Sequence, residues 1–167
     1  MNSWKTFIFS LNLVLVFIFF GVTVVKNENV LAKGQELYLS LYIRDPRSLM
    51  QGDYMELRYA LTEQIRQKKT DKENGYAVVN VSDGSLIRLQ KDVVPVVKGE
   101  VAIRYVYDDK IWPKVMLSNH SFMFQEGNGH YYNGARYALV KVDKRGNIHV
   151  LHLCDSNKQI LGPGKDE

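Results

Sequence analysis

The chain predicts a mostly β fold, an antiparallel sandwich or partly closed barrel, preceded by one N-terminal transmembrane helix. Three observations carry this expectation. Apolar and polar residues alternate at period two in several short segments, and turn-forming residues separate those segments. No convincing amphipathic helix pattern follows residue 26. Residues 7–25 contain no Asp, Glu, Lys or Arg, so all 22 basic and 18 acidic residues lie elsewhere. A chain of 167 residues with ordinary hydrophobic and charged content is expected to hold one folded domain beyond that helix.

Residues 7–25 read FIFSLNLVLVFIFFGVTVV, close in length to the roughly 20 residues a helix needs to cross about 30 Å of hydrocarbon. Ser10, Asn12 and Thr23 interrupt the run; Asn12 is tolerable there if it hydrogen-bonds a neighbouring helix. The competing reading is a cleaved signal peptide, with Val30-Leu31-Ala32 offering the small residue that the peptidase prefers. The apolar run exceeds the usual 7–15 or so residues of a signal core, and length therefore favours the uncleaved anchor. Lys5 before the run and Lys26 and Lys33 after it leave the charge bias nearly flat. A short tail ahead of a long domain inserts with the tail inside, so the expectation is a single-pass cell-membrane protein with residues 26–167 outside the cytoplasm. The organisation is then a tail at 1–6, an anchor at 7–25, a linker at 26–34, a β domain at 35–161 and a flexible tail at 162–167.

Residues 35–44 place Leu37, Leu39, Leu41 and Ile43 on one strand face and Glu36, Tyr38, Ser40, Tyr42 and Arg44 on the other. Residues 55–61 likewise gather Met55, Leu57, Tyr59 and Leu61. Between these strands Pro46 and Gly52 predict an ordered turn or short helical excursion. Residues 61–74 hold no apolar side chain beyond Leu61 and Ile65 and predict an exposed, mobile loop with room for one helical turn. Residues 76–81 and 85–89 flank Ser82-Asp83-Gly84, where Asp-Gly predicts a tight hairpin with positive φ angles. Residues 101–107 form a further strand, with Val101, Ile103, Tyr105 and Tyr107 on one face. Residues 135–142 and 148–153 pair through the polar loop Asp143-Lys144-Arg145-Gly146-Asn147.

Gly52-Asp53-Tyr54-Met55-Glu56-Leu57-Arg58-Tyr59 resembles the GDYXXLXY family at every fixed position of the motif that names it. The resemblance extends upstream to Asp45-Pro46-Arg47 with Leu49, and downstream to Phe124-Gln125-Glu126-Gly127. It covers about 120 residues and the apolar N-terminal segment; Met50-Gln51 stands where the family often has Phe-Arg. It implies a membrane-anchored domain of uncharacterised activity, sometimes found alongside or fused to a polytopic membrane protein, and names no reaction.

The residues expected to matter for binding are therefore Asp45, Arg47, Gly52, Asp53, Tyr54, Leu57 and Tyr59, with Glu126 and Gly127 behind them. Asp45, Arg47, Asp53 and Arg58 form a charged cluster on this reading, with Asp45 capping backbone amides and Arg47 forking onto a carboxylate. That cluster either fixes a turn or offers a contact surface, with Tyr42 and Tyr54 as amphipathic anchors on the strands' outer faces. The expected partners are the bilayer, through residues 7–25, and a polytopic membrane protein. Catalysis is not inferred. The alternative is a membrane-anchored Ser/Lys hydrolase resembling signal peptidases, with Ser48 as nucleophile, although Lys110 and Lys114 sit in contexts that look exposed.

Nucleic acid is not expected, because the net charge of +4 is spread along the chain without a basic stripe. Neither a metal nor another cofactor is implied. His149 and His152, three apart on a strand, are expected to point to opposite faces, and His120 and His130 stand in loops. The single Cys154 precludes an intramolecular disulfide and is expected to be a buried, inert thiol.

Overall fold

A computed structural model describes residues 3–42, 54–68, 73–110 and 114–164, with the side chains of residues 3, 5, 6, 23–33 and 54 outside that description. The chain divides into two compact units, Met1–Gly34 and Gln35–Glu167. The first is one helix, α1 (Ser3–Lys33). It continues through the segment expected as a linker, since residues 26–33 hold no proline or glycine to stop it. Every side chain from 7 to 22 is exposed, and the large apolar ones range from 43% at Val16 to 70% at Phe9. Among the described residues no helix is long and apolar enough to cross a membrane, the described apolar stretch of α1 falling short of the roughly 20 residues required.

The second unit is mostly β, and all its strand pairs are antiparallel. One sheet has the order β1 (Gln35–Ser40), β8 (Tyr137–Val142), β9 (Ile148–Cys154). A second has the order β4 (Leu86–Gln90), β3 (Gly75–Asn80), β5 (Glu100–Tyr107), β6 (Val115–Leu117). A two-stranded ribbon joins β2 (Tyr54–Glu56) to β7 (Ser121–Met123). Among the described residues the sheets are not closed into a barrel. One apolar cluster serves all of them, with Leu37, Val140 and Ile148 from the first sheet and Val79, Ile103 and Val115 from the second.

Period-two patterning places most of the core. Leu37 and Leu39 are buried as β1 requires, and beyond Ser40 the strand gives way to a single bridge between Leu41 and Tyr59. The expected strand over 55–61 is shorter than its pattern. β2 ends at Glu56, yet Leu57, Tyr59 and Leu61 are all buried on the expected side.

The loop expected over 61–74 is corrected by α2 (Ala60–Lys68). Leu61 and Ile65 stand four apart on one face, and both are buried; Ile65 is 0% exposed. Two apolar residues are sufficient for so short a helix, since its remaining face is solvated. Thr62 caps the turn by donating from its amide and hydroxyl to the Tyr59 carbonyl at 3.1 and 2.7 Å, and Glu63 pairs with Arg66 on the outer side. The expectation of no amphipathic helix beyond residue 26 fails here for the same reason.

The β3–β4 connection is a hairpin, and its loop is longer than the tight turn expected. The Ser85 carbonyl accepts from the Asn80 amide at 3.0 Å, and among the loop residues only Gly84 takes a positive φ, of 70°. The β8–β9 hairpin has the expected loop over 143–147. Asp143 Oδ1 accepts from the amides of Arg145 and Asn147, both at 2.8 Å.

These two hairpin loops interlock the sheets. A Cβ at Gly84 would lie 2.5 Å from the Tyr38 carbonyl oxygen of β1, and one at Gly146, whose φ is 81°, would lie 2.9 Å from the Ala102 carbonyl oxygen of β5. Gly146 also accepts from the Arg104 amide at 2.8 Å, and so takes up part of the β5 edge that β6 does not reach. Each loop of one sheet thus abuts the backbone of the other, where only glycine fits.

Candidate functional site

The described part of the shared motif begins at β2. Its register pairs Tyr54 with Met123, Met55 with Phe122 and Glu56 with Ser121. Past the strand, Leu57 donates its amide to the His120 carbonyl at 2.7 Å, and Arg58 accepts from the Tyr42 amide at 2.6 Å. The motif is thus gripped on one side by β7 and on the other by the end of β1.

Tyr59 completes the grip. It is 1% exposed, bridges Leu41 through its backbone, and donates its hydroxyl to the Asn119 carbonyl at 3.0 Å. Burial pushes its phenol pKa well above the ordinary tyrosine value, so the neutral donor form persists. Leu57 is 4% exposed. Both residues expected to bind are therefore held in the core, where they anchor the ribbon and present nothing to a partner.

The outward face has a different composition. Tyr42 is 58% exposed and Met123 is 78% exposed, and between them Arg58 Nε lies 3.7 Å from Glu56 Oε1. An aromatic and a thioether flanking a charged pair give an amphipathic surface suited to another macromolecule. Met123 was not legible as part of this surface, because a three-residue strand is too short to show alternation. Its only sequence signal is its place just before Phe124-Gln125-Glu126-Gly127.

That downstream segment folds back on the core. Phe122 and Phe124 flank the Tyr132 ring at 5.3 and 5.4 Å between centroids. Gly127 has φ 83° and opens a 3₁₀ turn over Asn128–Tyr132, and its carbonyl lies 2.9 Å from His130 Nδ1. Glu126 is exposed at the start of this turn. The structure thus brings Glu126 and Gly127 onto the segment leaving the ribbon, close in sequence to Met123.

Asp45, Arg47, Gly52 and Asp53, and with them most of the expected charged cluster, lie outside the described residues, as does Ser48. For Tyr54 the backbone pairing is described and the side chain is not. Of the lysines relevant to the hydrolase alternative, Lys110 is exposed, and Lys114 is exposed and pairs with Asp109 at 3.5 Å.

The histidine expectation is corrected. The β8–β9 register shifts between Leu139 and Val140, so one extra residue is accommodated in β9. His149 then pairs with Lys141 and His152 with Leu139, and the pair shares one face. His149 Nε2 lies 3.8 Å from Asp143 Oδ2. Among the described residues no group of three His, Cys, Asp or Glu is placed to hold a metal. Cys154 is buried, 0% exposed, as expected.

These features define a small antiparallel β domain behind an apolar helix, with its signature sequence divided between a core anchor and an outward ribbon. The chain belongs to the GDYXXLXY family, whose family model, described as GDYXXLXY protein, matches residues 16–153. No curated protein and no solved structure matches it.

Proposed function

We propose that the chain is a membrane-anchored binding module, with α1 in the bilayer and the motif ribbon turned to a polytopic membrane protein, the β domain lying outside the cytoplasm. The observation that carries the reading is the exposure of every side chain from residue 7 to residue 22. Phe7, Phe9, Phe17, Phe19 and Phe20 are each more than 60% exposed. Leaving an apolar side chain in water costs about 1.5–3 kcal/mol, so a helix of this composition calls for an apolar surrounding. With 31 residues α1 extends about 46 Å, more than the thickness of a hydrocarbon core. The uncharged sequence runs on to Val25, which brings the apolar run to 19 residues.

The partner part of the reading is supported by Tyr42 and Met123 on the outward face of the ribbon. Residues of these kinds are enriched where protein surfaces meet. The test is crosslinking followed by affinity purification from native membranes in mild detergent, comparing wild type with folded Tyr42→Ala, Tyr54→Ala and Met123→Ala variants. Recovery of one polytopic protein with wild type and its loss with the variants is the expected result. Equal recovery with all four proteins removes the ribbon from the interface, and release of the protein from membranes by alkaline carbonate removes the anchor.

A further inference from the structure

Among the described residues β7 pairs with β2 and with no other strand. Leu57 donates its amide to the His120 carbonyl, so these two residues face each other as a hydrogen-bonded pair. The alternation of an antiparallel ladder makes Met55 and Phe122 the next such pair. The backbone groups of Ser121 and Met123 therefore point away from β2. Asn119 Oδ1 accepts from the Ser121 amide at 3.2 Å. The Ser121 carbonyl and both backbone groups of Met123 have no hydrogen-bond partner among the described residues.

The edges of β1, β4 and β9 are guarded against such exposure. At β1 the Gly84 turn lies against the Tyr38 carbonyl. At β4, Gln64 Oε1 accepts from the Leu86 amide at 3.2 Å and Lys68 Nζ donates to the Leu86 carbonyl at 3.3 Å. At β9, Ser118 Oγ accepts from the Ile148 amide and the Leu161 amide donates to the Leu153 carbonyl, both at 2.8 Å. Devices of this kind keep a strand edge from pairing with another chain, and β7 has none beyond Asn119 among the described residues. The open edge is also fixed in place. Phe122 and Phe124 pack on Tyr132, and Tyr59 holds the Asn119 carbonyl that precedes the strand. A fixed edge with one free donor and two free acceptors complements an extended backbone, and little freedom is lost when one docks. The Met123 side chain, 78% exposed, stands beside the edge to meet an apolar residue of the incoming strand.

We propose that the outer edge of β7 receives an extended segment of the partner protein by strand addition, with the backbone of Met123 as the docking point. This rests on the binding reading above and gives the partner segment its chemistry: an extended stretch whose residue facing Met123 is not proline, since it must both donate and accept. The full chain is studied in mild detergent, alone and bound to the polytopic protein captured by the crosslinking above. In the free chain the Met123 amide should exchange with deuterium as fast as an exposed amide, and in the complex it should slow about tenfold or more. Replacing Met123 by its α-hydroxy analogue exchanges the N–H for an ester oxygen and keeps the side chain. That protein should bind the partner about tenfold more weakly, whereas Met123→Leu should bind as wild type does. If the α-hydroxy protein does not fold, the exchange measurement decides by itself. Slow exchange in the free chain overturns the open edge. Equal exchange in free and bound chains, or undiminished binding by the α-hydroxy protein, overturns strand addition and leaves the Tyr42 and Met123 surface standing. Capture of no protein, or of a second copy of this chain alone, overturns the binding reading and strand addition with it.

Discussion

Tyr59 donates its hydroxyl to the backbone carbonyl of Asn119, 60 positions further along the chain, at 3.0 Å. The last residue of the family motif thereby fastens the β6–β7 connection to the end of β1. Removing only the hydroxyl leaves a carbonyl without its donor, which costs about 1–2 kcal/mol. Tyr59→Phe should therefore lower the denaturation midpoint in urea by a corresponding amount. Tyr59→Ala, which adds a cavity, should cost about 3–5 kcal/mol.

The same residue gives an alkaline prediction. Its folded pKa is raised by burial, so its contribution is fully present below the unfolded tyrosine value, about 10, and is lost as pH rises beyond that value. Wild type should lose stability above about pH 10 more steeply than Tyr59→Phe, measured by thermal melts across pH 9–11 or so. Parallel curves would show that Tyr59 does not control the alkaline limb.

Asp143 predicts the opposite limb. Its burial opposes ionisation, but hydrogen bonds from Asn147 and the Arg145 amide, with His149 adding a smaller attraction, hold its pKa below the usual carboxylate value. The stabilisation is present above the unfolded carboxylate pKa and lost as pH falls through the lower folded one. Asp143→Asn should lose about 1 kcal/mol at neutral pH and show a shallower decline on acidification. Melting temperatures measured down the acid range test this directly.

At Gly84 and Gly146 an added methyl meets the carbonyl oxygens of Tyr38 and Ala102, and both glycines hold positive φ. Gly84→Ala and Gly146→Ala should each destabilise by about 2 kcal/mol or more. Each acts at its own contact with no partner in common, so their effects should add to within about 0.5 kcal/mol. Chemical denaturation of both singles and the double variant measures the coupling.

The outward residues should behave otherwise. Tyr42→Ala and Met123→Ala remove exposed side chains, and stability should stay within about 0.5 kcal/mol of wild type. A large fall in melting temperature for either would mean that the residue is structural, as Tyr59 is.

Much of the β domain is legible as alternation. Leu37 and Leu39, Leu57 and Tyr59, and Ile103 and Tyr105 are buried where period two puts them. α2 is not legible, because two apolar residues four apart make a weak signal, and it is their packing into the shared core that stabilises the helix. β6 and β7, at three residues each, are below the length at which any period shows. The motif stands out as a string whose alternation puts Leu57 and Tyr59 on the buried face; what the string does not show is that the backbones of β1 and β7 grip it. The shared face of His149 and His152 depends on one extra residue in β9, a feature of pairing that alternation along a single strand does not reveal.

Hairpin tips are ordinarily where a protein accepts extra sequence, since they face solvent and touch little. Here the β3–β4 and β8–β9 tips are wedged against the opposite sheet, so a tag or inserted peptide at Gly84 or Gly146 would pry the domain open. The turn at Glu126-Gly127 has nothing within 4 Å of a Cβ added at Gly127, and is the better place to graft a reporter.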